Sequence, residues 1–207
     1  MKLTWQGTNY AQVGFHSELH EYDAAPPVSS LLMDRAPVSI NPEREAIAGY
    51  LAFGRWVSGD LQLPHRLGPN TAAAIENDLD HVQVRPGPIE YYPKPLEIGL
   101  REVELNFDTK FPTVADCALT ILPASEWSGS LRSLRSMAIA SNAFVLDAAA
   151  SSSSVSIRAR LAVAVLFAGD LSADSFVISA DIEEREKQKL GNLLLSVRLG
   201  VRFVERW

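Results

Sequence analysis

Apolar and polar residues alternate along the last quarter of the chain. From 155 to 167 the odd positions Val155, Ile157, Ala159, Leu161, Val163, Val165 and Phe167 are all apolar. Ser156, Arg158 and Arg160 fill the first even positions, and Ala162, Ala164 and Leu166 the later ones. A period of two is that of a strand, and the loss of polarity on the second face predicts cover on both sides at the far end. Phe176, Ile178, Ala180 and Ile182 repeat the alternation, as do Leu193, Leu195, Val197, Leu199, Val201 and Phe203.

The pattern therefore predicts three long strands in a meander. A helical stripe through Leu190, Leu193, Leu194 and Val197 competes for part of it. Gly191, Gly200 and the β-branched and aromatic content after Val197 weigh against that helix. Pairing Phe167 with Phe176 would set Arg160 opposite Glu183, a cross-strand ion pair of roughly 0.2–1 kcal/mol.

Earlier segments are more mixed. Residues 3–22 fit a strand through Val13, Phe15 and Leu19, or a helical stripe through Ala11, Phe15, Leu19 and Tyr22. A helix is predicted from Pro42, with Asn41 as cap and Glu43 and Glu45 at the positive end of its dipole. A shorter helix starts near Pro69. Residues 85–95, rich in proline, are extended and mark a boundary. Val103, Leu105 and Phe107 predict one strand, and Cys117, Leu119 and Ile121 another. Residues 131–150 fit neither type cleanly. The expected fold is α+β: a short helical N-terminal part (1–96), then a predominantly antiparallel sheet or sandwich (97–207) ending in the meander.

Composition changes this picture little. The 207 residues are 47% hydrophobic and 21% charged, as in ordinary globular chains. The net charge of −6 argues against a general nucleic-acid binder, which carries a basic surplus. One cysteine, Cys117, excludes an internal disulfide. The opening residues lack a signal-peptide core, and the longest apolar run, 161–168, is far shorter than the ~20 residues of a membrane span. These features predict a cytoplasmic protein without membrane association.

Candidate chemistry is sparse. His16, Glu18 and His20 have metal-ligand character. On a strand the two histidines stand about 13 Å apart; on a helix they adjoin, but Glu18 points elsewhere. His65 or His81 could complete a site through the fold. Arg132 and Arg135 could clamp a phosphate if their segment is helical. Cys117 lies in apolar surroundings, as a structural thiol does. Neither nucleotide-binding glycine fingerprint is present, nor a Gly-x-Ser-x-Gly elbow.

The charged run 183–189, with Glu183, Arg185, Lys187 and Lys189, reads as a hairpin tip. Arg198 and Arg202 lie on the last strand, whose edge needs either protection or a partner. The sequence thus predicts a non-enzymatic subunit of a larger intracellular assembly, joined to itself or to partner proteins by β-edge and hairpin contacts, with no cofactor. Two alternatives stand beside it. One is a metal-dependent enzyme built on His16, Glu18 and His20 with a divalent ion. The other is a nucleic-acid-binding component of a ribonucleoprotein or defence complex, using Arg132 and Arg135.

Overall fold

The computed structural model describes residues 1–8, 11–79, 82–107, 117–126, 136–150 and 156–204. The N-terminal elements are strands β1 (Lys2–Gly7), β2 (Val13–Glu18) and β3 (Ser30–Met33), helix α1 (Pro42–Phe53), β4 (Asp60–Leu67), α2 (Pro69–Glu76) and β5 (Arg85–Ile89). Then come β6 (Arg101–Asn106), β7 (Ala118–Pro123), β8 (Ser136–Ser141), α3 (Ala143–Ala150), α4 (Arg158–Leu166), β9 (Ala173–Ser179), α5 (Glu184–Ser196) and β10 (Gly200–Val204).

All ten strands join one sheet in the order β10-β9-β6-β7-β8-β3-β2-β1-β4-β5. Six of its nine pairings are parallel, and β1–β2, β2–β3 and β3–β8 are antiparallel. This is an α/β fold. The expected α+β arrangement, a helical part followed by an antiparallel sheet or sandwich, is overturned.

The meander is overturned with it. The 155–167 alternation lies largely on α4, which is buried at Arg158, Ala159 and every position from Leu161 to Leu166. A helix covered all round has no polar face, so it shows no 3.6-residue period. The run 183–189 is not a hairpin tip, because it caps and opens α5. Leu190, Leu193 and Leu194 are that helix's buried stripe, the stripe that competed with the strand reading. The helix ends with Leu199 N–H donating to Leu194 C=O and Arg198 N–H to Leu195 C=O, both at about 3.0–3.1 Å. That is a Schellman turn, with Arg198 at φ 54° where glycine is usual. A glycine there would have marked the stop. β9 and β10 are therefore parallel and joined by a helix, so Arg160 never faces Glu183.

From the central β3–β8 seam outward, both halves of the sheet have the same order: third strand, second, first, fourth, fifth. Corresponding strands run as if related by a local twofold, except β7, which is parallel to both neighbours where β2 is antiparallel to both. In each half a helix precedes the fourth strand (α1, α4) and another joins the fourth to the fifth (α2, α5). The seam has one ladder pair, Met33 with Ser141. Side chains extend it: Asn142 accepts from Leu32 N–H and donates to Ser30 C=O, both at 2.8 Å.

α1 packs on α4, and α2 touches α5 although they belong to opposite edges of the sheet. Ten strands laid flat would hold those edges about 40 Å apart, so the sheet curls around its helices. Phe15, Phe53, Phe167 and Phe176 are among the side chains fully buried inside. Lys2, Glu18, Glu102 and Arg202 stand exposed on the strands' other face. Among the described residues no helix is long and apolar enough to cross a membrane.

Candidate functional site

Charged residues cluster where the helices meet. Arg158 opens α4 and is almost wholly buried. Its Nη1 and Nη2 reach Asp78 at 2.6 and 3.3 Å, while Nε and Nη2 reach Glu186 at 2.6 and 3.1 Å. Tyr50 O–H donates to Asp78 at 2.7 Å, and Arg55 lies 3.7 Å from Glu186. Burial works against the Arg158 charge, but the bonds to Glu186 and Asp78 outweigh it and hold its pKa above the usual range. Burial, then the Asp78 carboxylate, raises the Tyr50 hydroxyl in turn. The clamp ties α1 and the end of α2 to α4 and α5, so it fastens one half of the molecule to the other.

Two residues on, Arg160 is equally provided for. Its Nε donates to Asp147 of α3 at 2.7 Å, and Nη2 donates to Ser156 C=O at 2.6 Å. The guanidinium lies over Phe107 and Phe144, 4.8 and 5.0 Å from their centroids. Asp147 also accepts from the N–H groups of Ala159 and Arg160. It thereby caps α4, whose own cap position, Ile157, has no side chain able to do so.

The opening of α1 differs. Asn41 caps it by accepting from Glu43 N–H, and Pro42 takes the first position, as the sequence predicts. Glu43 accepts from Gly68 N–H at 2.7 Å, at the start of α2. A Cβ on residue 68 would come within 3.1 Å of that carboxylate and 3.0 Å of Pro93, so a side chain there would press on both. Glu45 is 1% exposed; its Oε2 lies 2.7 Å from His65 Nδ1, and Oε1 has no hydrogen-bond partner. Burial raises its pKa, opposed by His65.

Arg44 sits between them, 4% exposed. It makes one hydrogen bond, from Nη2 to Glu97 C=O at 3.3 Å, while Nε has no partner. Burial lowers its pKa, opposed by the Glu97 charge. The proline-rich strap 91–97 passes over this region, and Lys94 lines three adjoining cavities beside α1. The one against Arg44, about 200 Å³, is also lined by Ser39, Asn41, Pro42 and Glu97.

The residues singled out in the sequence are scattered. His16 on β2 lies 2.9 Å from Ser30 Oγ. Glu18 meets Lys2 at 3.3 Å, and His20 Nδ1 lies 2.8 Å from the Met1 amino group. Segment 13–18 is a strand and His20 lies beyond its end, and His65 is paired with Glu45. Among the described residues no three His, Cys, Asp or Glu side chains come together as a metal site. His81, Arg132 and Arg135 lie outside the described residues. Cys117 is buried.

Glu183 is the cap residue of α5, and Arg185 is exposed on its first turn. Lys187 meets Glu184 at 3.2 Å, and Lys189 is half-buried on the same helix. Arg198 occupies the turn after α5. Arg202 reaches across β9 to Glu102 on β6. Sequence reasoning passed over Arg44, Asp78 and Asp147, because their partners lie far off in the chain. An arginine set among apolar positions at a helix start was the available signal.

No family model matches the chain, and neither a curated protein nor a solved structure is significantly similar to it.

Proposed function

We propose that the protein is a non-enzymatic subunit of a larger intracellular assembly, and that a strand from a second copy or a partner protein adds to the edge of β10. The observation that carries this reading is the contrast between the two edges of the sheet. β5 bears Pro86 and Pro88, which have no N–H to offer a further strand, and prolines on an edge are a common guard against pairing. β10, Gly200–Val204, has none. Its Val201 and Phe203 pack against the core, which fixes the strand at the edge where a partner would add. Main-chain pairing along such an edge is a general mode of recognition. The hairpin contact drops out, since 183–189 opens a helix.

The test is light scattering across a concentration series, with affinity capture of partners, for the native chain and for Val204→Lys. Val204 lies on the edge strand outside the core, and a lysine there disfavours edge pairing. The reading expects a native complex that Val204→Lys dissociates. A native chain that stays monomeric and captures nothing, or a complex indifferent to the substitution, would contradict it.

A further inference from the structure

We propose that the cavity against Arg44 binds a small oxyanion, the phosphate or carboxylate group of a small molecule. The guanidinium of Arg44 and the ammonium of Lys94 would hold it, with the positive end of the α1 dipole beside them. A buried guanidinium carries five N–H donors and a full charge, and proteins bury such groups only with counter-charges or acceptors. Arg158 and Arg160, on α4, obey that rule. Arg44 does not: one long bond to a carbonyl serves the whole group, and no carboxylate lies within ion-pair distance of it among the described residues.

What surrounds Arg44 is suited to an anion. Its cavity of about 200 Å³ is lined by a second cation, Lys94, and by the start of a twelve-residue helix. Pro42 has no N–H and Asn41 takes that of Glu43, so the helix start offers the positive end of its dipole rather than a cradle of donors. Ser39 adds a hydroxyl. The carboxylate in the lining, Glu97, is exposed; its backbone oxygen takes the hydrogen bond from Arg44, and its charge acts on the guanidinium from beyond ion-pair distance. It therefore sits where it repels an anion and lowers affinity without closing the site. Glu43 and Glu45, also on the first turn of α1, are turned to Gly68 and His65 and leave the cavity to Arg44. A guanidinium favours planar or tetrahedral oxyanions, which it binds through paired N–H bonds.

Isothermal titration calorimetry on the full chain at fixed ionic strength tests this, with inorganic phosphate and succinate as separate probes. Saturable one-to-one binding of either is expected, and which probe binds more tightly assigns phosphate or carboxylate. Arg44→Met should weaken that binding on the order of tenfold to a hundredfold, the range for hydrogen bonds to a charged group. Lys94→Met should weaken it by roughly a fewfold, and Glu97→Gln should tighten it by a similar factor. Lys94 and Glu97 are exposed, so their opposite signs decide the matter even if Arg44→Met fails to fold. No saturable binding of either probe to the native chain, equal binding by Arg44→Met, or no response to both surface substitutions overturns the proposal.

Discussion

Helices α1 and α4 occupy equivalent places in the two halves of the sheet and pack against each other, yet their openings treat buried arginine in opposite ways. At α4, Arg158 is forked onto Asp78 and Glu186, and Arg160 is tied to Asp147 and sandwiched by two aromatic rings. At α1, Arg44 is as deeply buried and is nearly bare of partners. The first arrangement is a fastening, because its donors are spent on carboxylates of other helices. The second has donors to spare beside a cavity. Burial alone therefore does not separate a structural arginine from a ligand-binding one; the tally of its bonds does.

The largest way to break this comparison is to make Arg158 resemble Arg44. Asp78→Ala strips it of a two-pronged partner and leaves Tyr50 O–H without an acceptor. Removing one partner of a buried pair costs about 3–5 kcal/mol. Urea unfolding should show that loss as a lower midpoint with an unchanged slope. The smallest effect belongs to an arginine that is paired but in water. Arg202 and Glu102 are both more than half in solvent or close to it, at 61% and 50% exposure. Arg202→Ala should cost less than about 1 kcal/mol in the same measurement. Together they separate the contribution of pairing from that of burial.

Local pieces of the fold were legible in the sequence, α1, β6 and β7 among them, while β1, β3 and β4 were not. Asn41-Pro42-Glu43 marks α1 because each residue acts locally: a cap, a preset φ and a charge near the dipole. Val103 and Leu105, and Leu119 and Ile121, mark strands because the sheet's other face meets water and keeps the alternation visible. The last quarter of the chain misleads for a physical reason. α4 is apolar on every side, so an alternation that ends in Ala162, Ala164 and Leu166 looks like a strand gaining cover. α5 carries Gly191, a modest local penalty of roughly 1 kcal/mol that tertiary packing of Leu190, Leu193 and Leu194 overrides. Its stop uses Arg198 in a conformation usually left to glycine, which removes the usual sign of a helix end. The charged clamp was illegible, since Asp78, Arg158 and Glu186 meet only after the sheet has curled.

The contrast between the two arginines is tested most directly by removing each charge in turn. Stability curves for Arg44→Met and Arg158→Met, measured side by side without added oxyanion, should diverge. Arg158→Met leaves Asp78 and Glu186 facing each other and should lose about 3 kcal/mol or more. Arg44→Met removes an unpaired buried charge and should match or exceed the native stability. A loss at Arg44 equal to that at Arg158 would make Arg44 a structural support like its counterpart, and would contradict the account.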